Sequence, residues 1–459
     1  MNSVFLTTRY TDDIYQYIVG LCVKDIKSKK KNIQIKKIKL GKTPDILFLL
    51  VCLKYLVMGK FWSKEKTVLL SYKKVNFGKK LLSTTFRSFE SYVSIYKYYT
   101  NLFKNIYTIS KIFKTAKYYE KNYNFNYVYL DHIEYLNGIY FDIFKDKKRT
   151  FYTNCYPNNI NKTKKKNLEK IQQISFIKKK KYTKIQKKNI LKAAKKVFGS
   201  INDFLPWMQT TKWSSMKNKS LKKYDYIIYA HSFTDSQLSF GFDGFSNTLE
   251  WLEFTIKELQ KKKVSFIVKA HPNFNTNLNL GNKNKDNLAE WDKKIYLHLK
   301  NRIQYKKDIL FIDKPIDNKS LISKLSDKCL VISKHGSVQF EMVYHGFKVI
   351  SSAKNMIDPK YLLTNSWNSR REYKHLLNKK WKELNFGDKN SFLTVTEFLF
   401  LNKNSHFGKN FYLNPLKKYM LKKKLIKKNS SYQEIARKFA SFKNKEQVVE
   451  RINIPINNI

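Results

Sequence analysis

The sequence predicts an α/β protein with two α/β domains, the second of them built on a doubly wound parallel sheet. Three observations lead to this fold class. Apolar strand-like runs alternate with amphipathic helix-like runs through residues 224–353. The strand-like runs there are almost continuously apolar, which is typical of strands covered on both faces. A weaker form of the same alternation precedes them, and 42% of the 459 residues are hydrophobic, enough for two or three cores.

The second domain is predicted from five strands and the helices between them. The strands are YDYIIYA (224–230), VSFIVKA (264–270), ILFID (309–313), CLVIS (329–333) and KVISS (348–352). The helices are NTLEWLEFTIKELQ (247–260), LAEWDKKIYLHLKNR (288–302), SLISKLS (320–326) and the stretch after Gly336. In the first helix Leu249, Leu252, Ile256 and Leu259 share one face, and Asn247 with Glu250 forms a capping pair at its start. This βαβ spacing predicts a parallel sheet.

The first domain is predicted from a fainter pattern. TVLLSY (67–72), VYL (128–130) and TFYTN (150–154) are predicted strands, and an amphipathic stretch, HIEYLNGIYFDIFKDKK, lies between the last two. The lysine-dense stretch 160–196 is predicted to be a solvated helical connection. The expected domains are therefore 1–200, 201–360 and a helical, basic extension at 361–459, which contains the run LKKYMLKKKLIKK (416–428). That run is expected to lie on a membrane surface or to pack back on the first domain.

The net charge of +56 has two interpretations. It is typical of a protein that binds nucleic acid or an anionic membrane. However, the lysines are spread along the whole chain, and the residues that abound (Lys, Asn, Ile, Tyr, Phe) are those encoded by A/T-rich codons. Genome composition is therefore the favoured explanation of the charge, and we expect no nucleic-acid partner. Such a surface would still attract anionic lipid and phosphorylated substrates.

The cysteine spacing and the hydropathy indicate the cellular compartment in which the protein is expected. Cys22, Cys52, Cys155 and Cys329 stand far apart without a CxxC pair, which argues against a zinc site or a disulfide framework and favours a reducing compartment. The first residues lack the pattern of a signal peptide, and the longest apolar stretch, Ile46 to Met58, is interrupted by Lys54 and too short to span a bilayer. The expected location is the cytoplasm, with peripheral contact at the inner face of the membrane left open.

Polar side chains follow the predicted strands of the second domain. His231 follows the first strand, Lys269-Ala270-His271-Pro272 closes the second, and Lys334-His335-Gly336-Ser337 follows the fourth. Ligands of doubly wound sheets bind beyond the carboxyl ends of the strands. A chance scatter of eight histidines would rarely place them after three of four strands. The sequence therefore predicts a ligand site at this edge.

The stretch SKHGSVQFEMVYHG (333–346) suggests how that site binds an anion. Free N–H groups at a helix start attract phosphate, and Gly336 permits a tight turn there. Ser337 is a candidate helix cap or hydroxyl donor, and His335 a candidate donor to a phosphate oxygen. Glu341 offers a carboxylate for the hydroxyls of a ribose, and Gly346 is expected to end the helix. Taken singly, each of these residues is more often structural.

Several common catalytic motifs are absent from the sequence. It contains no Walker A loop, GxGxxG, HExxH or GxSxG, and no DxD-type carboxylate pair in a loop that would demand a divalent metal. We therefore expect no metal and no cofactor.

The quoted strand ends resemble a known family. HSFTDSQLSFGFDGF with Trp251, VKAHP, and KHGSVQFE with HGFKVI are similar to segments of the capsule polysaccharide biosynthesis proteins, which are glycosyltransferase-like enzymes of GT-B architecture related to capsular Kdo transferases and polyglycerol-phosphate transferases. The resemblance covers about 225–353 and extends loosely to DHIEYLNGIYFDIF (131–144).

The resemblance implies two Rossmann-like, doubly wound domains facing a cleft, with a nucleotide-activated sugar as donor substrate and a glycan or glycolipid as acceptor. His271, His335, Ser337 and Glu341 would bind the donor, and Lys269 and Lys334 would neutralise its phosphates without a metal. A base must deprotonate the acceptor. Asp235 is the first candidate for this base, and Asp131 or Glu134 of the first domain come next.

Three functions are carried forward from the sequence. The first is a cytoplasmic, metal-independent glycosyltransferase of capsule or other surface polysaccharide biosynthesis. The second is transfer of a polyol phosphate from a CDP-linked donor on a similar fold. The third, suggested by charge alone, is a basic nucleic-acid-binding protein.

Overall fold

The computed structural model describes residues 3–7, 13–27, 33–130, 135–144, 149–153, 161–163, 180–199, 223–235, 238, 240–272, 288–303, 308–401, 413–427, 430, 434–435, 438–439, 441–442, 444–452 and 457–458. Their strands are β1 (Ser3–Thr7), β2 (Ile33–Lys37), β3 (Ser71–Tyr72), β4 (Val75–Asn76), β5 (Phe125–Leu130), β6 (Thr150–Thr153), β7 (Asn161–Thr163), β8 (Tyr224–Tyr229), β9 (Phe266–Lys269), β10 (Ile309–Ile312), β11 (Leu325–Ser333), β12 (Lys348–Ser352), β13 (Asn365–Trp367) and β14 (Asn457–Asn458).

The helices of the same residues are α1 (Asp13–Lys27), α2 (Ile46–Val57), α3 (Lys64–Val68), α4 (Gly78–Thr85), α5 (Glu90–Val93), α6 (Ile95–Asn122), α7 (Gly138–Ile143), α8 (Lys184–Gly199), α9 (Thr248–Lys261), α10 (Leu288–Arg302), α11 (Asn318–Ile322), α12 (Val338–Tyr344), α13 (Arg370–Asn378), α14 (Lys389–Thr396), α15 (Leu413–Lys422) and α16 (Lys445–Glu450). A π-helical turn, Glu397–Leu401, follows α14. No helix in the described ranges is long and apolar enough to cross a bilayer.

The chain forms two compact units. Unit 1 comprises Met1–Thr85, Tyr99–Gln172 and Asn402–Ile459, and unit 2 comprises Phe86–Tyr98 and Gln173–Leu401. These units differ from the predicted boundaries at both ends. Residues 173–200 and 361–401 belong to unit 2, and residues 402–459 return to unit 1 instead of forming a separate extension.

Unit 1 is built on a six-stranded sheet in the order β14-β7-β6-β5-β1-β2. Its strand pairs are parallel except β6 with β7, which is antiparallel. Tyr17 and Cys22 of α1 are buried with Leu416 and Met420 of α15, so the basic run that begins at residue 416 contributes to this core. Of the two predicted placements for that run, packing on the first domain is confirmed.

Unit 2 is built on a six-stranded sheet in the order β10-β9-β8-β11-β12-β13, and every neighbouring pair is parallel. Numbered along the unit, this order is 3-2-1-4-5-6, the doubly wound Rossmann order. Helices α9, α10 and α13 pack on one face of the sheet, and α11 and α12 on the other. The α/β class with two Rossmann-like sheets is therefore confirmed.

Most predicted elements of unit 2 are confirmed, including the N-cap of α9, where Asn247 accepts a hydrogen bond from the Glu250 N–H. The predicted helix at 320–326 is shorter, because β11 begins at Leu325. In unit 1 the predicted strand at 67–72 is wrong for most of its length. Ser63 caps a helix that runs to Val68, and only Ser71–Tyr72 forms a strand, in a hairpin with β4.

Candidate functional site

The reversal of strand order in unit 2 lies between β8 and β11, which are neighbours in the sheet. The chain connections that follow the two strands lead to opposite sides of this point. Doubly wound proteins bind ligands in the resulting crevice, beyond the carboxyl ends of the strands. His231 comes two residues after β8, and His335 two residues after β11. β9 lies on the other side of β8 and is followed by His271. The sheet therefore brings three histidines to its switch point.

The three imidazoles form one cluster. The ring centroid of His231 lies 5.6 Å from that of His271 and 5.5 Å from that of His335. The Phe240 ring, 5.9 Å from His335, borders the cluster. His271 and His335 were predicted site residues, and the structure brings them together through His231. The position of His231 directly after a strand was visible in the sequence, although no role followed from it there.

His335 is the most informative member of the cluster. Its side chain is buried, with 5% exposure, and among the described residues neither ring nitrogen has a hydrogen-bond partner. The Ser333 hydroxyl donates to the His335 carbonyl oxygen at 2.6 Å, which fixes the backbone beneath the ring. A buried polar group without a partner costs about 1–3 kcal/mol. Such a group in a ligand-binding crevice is accounted for if a ligand completes its hydrogen bonds.

Burial favours the neutral form of all three imidazoles. It lowers the pKa of His335 and His231, and it lowers the pKa of His271 to about 3. The Lys334 ammonium lowers the pKa of His335 further. A neutral imidazole has one N–H donor and one acceptor nitrogen. In His231 the Nδ1 lies 3.1 Å from the Ser232 carbonyl oxygen, which favours the Nδ1–H tautomer and leaves Nε2 able to accept a proton.

Gly336 allows the chain to turn beside the cluster. Its φ of +109° lies in the region that L side chains rarely adopt, and a Cβ there would stand 3.8 Å from His231 Cδ2. The constraint is therefore backbone conformation rather than lack of space. Helix α12 is only seven residues long, and Ser337 precedes it without a side-chain capping bond. Gly346, with a φ of +84°, follows the helix as predicted.

Lys334 lies next to His335 but points to a different place. Its Nζ donates to Asp243 Oδ1 at 2.9 Å, and both side chains are 1% exposed. Both residues lie in the bend that follows β11, and the two neighbouring side chains leave it toward different surroundings. The ammonium charge is thus committed to holding the loop before α9 against the end of β11. This geometry does not support the predicted phosphate contact of Lys334.

Lys269 and Glu341 are joined by a residue that sequence reasoning missed. Lys269 Nζ donates to Asn318 Oδ1 at 2.6 Å, and Asn318 Nδ2 donates to Glu341 Oε2 at 2.7 Å. The Tyr229 hydroxyl also donates to Asn318 Oδ1, at 3.1 Å. Burial lowers the pKa of Lys269 and raises that of Glu341, and the opposite charge of each partly offsets the shift of the other.

Asp235, the first candidate for the general base, is exposed in the loop after β8. Burial dominates the pKa of His231 and His271, but the Asp235 carboxylate raises both, so it lies within electrostatic reach of the cluster. The other two candidates, Asp131 and Glu134, lie outside the described residues.

A second missed residue holds the loop that carries Asp235. Asp292 of α10 is buried and accepts hydrogen bonds from the Ser232 hydroxyl (2.5 Å), the Thr234 N–H (2.9 Å) and the Thr234 hydroxyl (3.0 Å). Burial raises the pKa of Asp292 to about 7, and the hydrogen bonds oppose that shift. Asp292 therefore positions the segment after His231 without belonging to the cluster.

No group of three or more His, Cys, Asp and Glu side chains suited to hold a metal ion occurs in the part of the chain that the structure describes.

No protein-family model and no curated protein matches this chain. Solved structures with some similarity include a β-Kdo 2,4-transferase, KpsC, from Thermosulfurimonas dismutans, at 9% identity and a TM-score of 0.36 over 60% of this chain and 80% of that one. A UDP-GlcNAc 2-epimerase from Methanocaldococcus jannaschii, in complex with UDP-GlcNAc and UDP, has 12% identity and a TM-score of 0.26 over 86% and 98% of the two chains.

An α,α-trehalose-phosphate synthase (UDP-forming) from Burkholderia vietnamiensis has 8% identity and a TM-score of 0.26, over 95% of this chain and 98% of that one. Sequence identities and TM-scores this low do not assign an activity. The function is therefore inferred from the site of this chain.

Proposed function

We propose that unit 2 binds the phosphate groups of a nucleotide-activated sugar and that the protein is a glycosyltransferase. One observation carries the proposal: three neutral imidazoles meet at the switch point of a 3-2-1-4-5-6 sheet, and in the described residues both ring nitrogens of the buried His335 lack a partner. A phosphate oxygen at this point would accept the hydrogen bond that His335 offers. The crevice beyond the strand ends is where doubly wound sheets take nucleotides.

The chemistry follows from the charge that develops on the leaving group. The acceptor hydroxyl attacks the anomeric carbon, the bond from that carbon to the phosphate oxygen breaks, and the nucleotide leaves with the electron pair. Hydrogen-bond donors already in place stabilise this developing charge. His271 and His335 are proposed as these donors. His231, with Nε2 able to accept a proton, would add a positive charge if the phosphate raised its pKa.

The rest of the predicted site is assigned by its position. Glu341 and Asn318, hydrogen-bonded to each other, are proposed to take sugar or ribose hydroxyls. Lys269 holds Asn318 and supplies positive charge to the same region. Gly336 and Ser337 are proposed to bring backbone and hydroxyl groups to the phosphate. Lys334 is proposed as a structural residue, because its ammonium is buried against Asp243.

The acceptor proton needs a base, and Asp235 remains the first candidate. It is exposed and close enough to His231 and His271 to affect the pKa of both. Asp131 and Glu134 remain alternatives. The finer parts of the proposal rest on the resemblance of 225–353 to capsule polysaccharide enzymes. These are a role in capsule or other surface polysaccharide synthesis, a glycan or glycolipid acceptor, a cytoplasmic location and turnover without a metal.

Calorimetry with CMP, UDP, GDP and CDP, and with their sugar conjugates, tests the proposal. We expect one nucleotide to bind the folded wild-type protein, and His335→Gln to weaken that binding by about tenfold or more, the value of one hydrogen bond to a charged group. His345→Gln is the matched control, because His345 is half-buried in the same unit at the other end of α12. Absence of binding by every compound, or equal loss in both variants, would refute the proposal.

The second candidate, transfer of a polyol phosphate from a CDP-linked donor, uses the same phosphate chemistry. The identity of the donor separates the two. Release of CMP from a CDP-polyol, with no turnover of any nucleotide sugar, would favour the polyol phosphate transfer over the glycosyl transfer.

A further inference from the structure

Helix α2 of unit 1 carries an apolar face that the protein leaves in solvent. The helix has the sequence ILFLLVCLKYLV, and only Phe48 and Cys52 of it are buried. The opposite face is exposed at five aliphatic side chains, an adjacent pair in the first turn followed by residues at steps of three or four: Ile46 (60%), Leu47 (60%), Leu50 (56%), Leu53 (56%) and Val57 (82%). Single exposed apolar residues are ordinary, but a continuous row of them marks an interaction surface.

Aromatic side chains extend this face beyond the end of the helix. Trp62 is 63% exposed, and a Cβ on Gly59 would lie 3.2 Å from the Trp62 ring, so the indole sits at the end of α2. The ring centroids of Trp62 and Tyr99 of α6 lie 5.3 Å apart, and those of Tyr99 and Phe103, which are stacked, lie 6.4 Å apart. Together, Ile46, Leu47, Leu50, Leu53, Val57, Trp62, Tyr99 and Phe103 are called the α2 face below.

The charge around the α2 face is predominantly positive. Residues 40–85 and 99–117 contain 13 lysines and only two acidic residues. Of these two, Asp45 is buried and paired with Lys117. Lys54 lies on the exposed side of α2 itself, and Lys42, Lys73, Lys74 and Lys104 are exposed on the neighbouring segments. Apolar protrusions surrounded by lysines are complementary to a surface that is anionic outside and apolar beneath.

We propose that the α2 face docks on an anionic lipid bilayer. The twelve residues of α2 span about 18 Å, too short to cross a bilayer but suited to lie in its interface. In this arrangement aliphatic side chains enter the acyl boundary, aromatic rings sit at headgroup level, and lysines contact the anionic headgroups. This surface differs from the basic run at 416–428, whose Leu416 and Met420 are buried in the core of unit 1.

A second copy of the chain is a poorer occupant of the α2 face. A symmetric dimer would place the same patch of both subunits together. The exposed lysines on and beside α2, among them Lys42, Lys54 and Lys73, would then be brought close to those of the other copy, at a repulsive cost that counter-ions would reduce. An acidic protein partner remains as an outcome of the experiment.

Co-sedimentation of the full-length protein with lipid vesicles tests the proposal. The vesicles contain phosphatidylcholine alone or with about a third phosphatidylglycerol. We expect binding to the anionic vesicles, weakened at least about tenfold on neutral ones and by high salt. Leu50→Glu with Leu53→Glu should reduce binding to anionic vesicles by about tenfold or more. Ile185→Glu, a substitution at another exposed apolar side chain, should leave it unchanged.

Three results would contradict the proposal. Vesicle binding that survives the double substitution, or that falls equally in the Ile185 variant, contradicts docking through the α2 face. Absence of vesicle binding by the wild-type protein also contradicts the proposal. In that case, a dimer, or a bound partner protein that the double variant fails to bind, would identify the occupant of the α2 face instead. Circular dichroism confirms folding of each variant. Nucleotide binding is measured in a separate experiment, so the outcome for vesicle binding does not depend on whether the proposed transferase function is correct.

Discussion

At the scale of single residues, the site depends on where each side chain of a strand end points. Lys334 and His335 are adjacent, yet one is buried in an ion pair with Asp243 and the other belongs to the imidazole cluster. Sequence reasoning grouped both as donor ligands because it counted residues after a strand and could not see which face each would take. Both residues lie in the bend after β11, which ends at Ser333, and this bend sends the two side chains to different surroundings.

Phosphate binding to the cluster should take up protons. Burial lowers the pKa of the three imidazoles in the free protein, and an adjacent phosphate would raise them. The complex then binds more protons than the free protein, so affinity rises as pH falls through the raised pKa of the bound imidazoles toward their lowered pKa in the free protein, by at most about tenfold per pH unit per proton. Calorimetry in buffers of different ionisation enthalpy measures the uptake. A binding heat independent of the buffer, with a flat pH profile, would contradict the shared role of the imidazoles.

The ion pair of Lys334 with Asp243 should act on stability and not on ligand binding. Lys334→Met or Asp243→Leu alone leaves a buried charge without its partner, at a cost of about 3–5 kcal/mol in the free energy of unfolding. The double variant should cost less than the sum and keep nearly wild-type nucleotide affinity. Urea unfolding and calorimetry check the two parts. Loss of affinity in a stable double variant would restore Lys334 to the phosphate site.

Asn318 and Asp292 are residues near the site that could not be predicted from the sequence. Asn318 begins a short helix 49 residues after Lys269, and Asp292 lies 60 residues after Ser232. Neither stands in a motif, and each meets its partners only through the packing of the unit. The histidines were found because each follows a strand directly, so local order alone places them. Residues that join distant segments require the fold.

At the scale of elements, the alternation of strand and helix in unit 2 predicted the sheet, because each buried strand is a short apolar run bounded by polar residues. The sixth strand, β13, was missed since three residues, Asn365–Trp367, carry too little pattern. The predicted strand at 67–72 failed because TVLL, though β-rich in composition, begins inside a helix capped by Ser63. A local hydrogen bond outweighed composition there.

The turn at Gly336 can be separated from the turn at Gly346 by matched substitutions. Both glycines have positive φ, +109° and +84°, so replacement by alanine should cost about 1–2 kcal/mol in the free energy of unfolding at either position. Only Gly336→Ala should also weaken nucleotide binding, because only Gly336 adjoins His231. Thermal unfolding with calorimetry checks this. Equal affinities in the two variants would show that the turn plays no part in the site.

At the scale of the whole molecule, the chain returns to its beginning. Residues 402–459 belong to unit 1, although periodicity alone indicated a separate helical extension. The sequence showed that this segment is helical and basic but not which core it completes, because the partners in α1 lie about four hundred residues away. The division into two α/β units was predictable, and the path of the chain between them was not.

The contribution of the C-terminal segment to unit 1 is measurable. Phe439 is buried, and its ring lies 5.1 Å from that of Tyr17 in α1. Phe439→Ala should destabilise unit 1 by about 3–5 kcal/mol and expose the buried Cys22 of the same core to thiol reagents. Ile185→Ala, at a 74% exposed position, is the control and should change stability by less than about 0.5 kcal/mol. Unchanged stability and thiol reactivity in Phe439→Ala would contradict the assignment of this segment to unit 1.

A crystal structure of the wild-type protein with its nucleotide would show directly whether the imidazole cluster binds phosphate. A phosphate oxygen should lie within about 2.7–3.2 Å of a ring nitrogen of His335, beyond the ends of β8 and β11. A nucleotide bound elsewhere on the molecule, or a His335 ring still without a partner in that complex, would contradict the account.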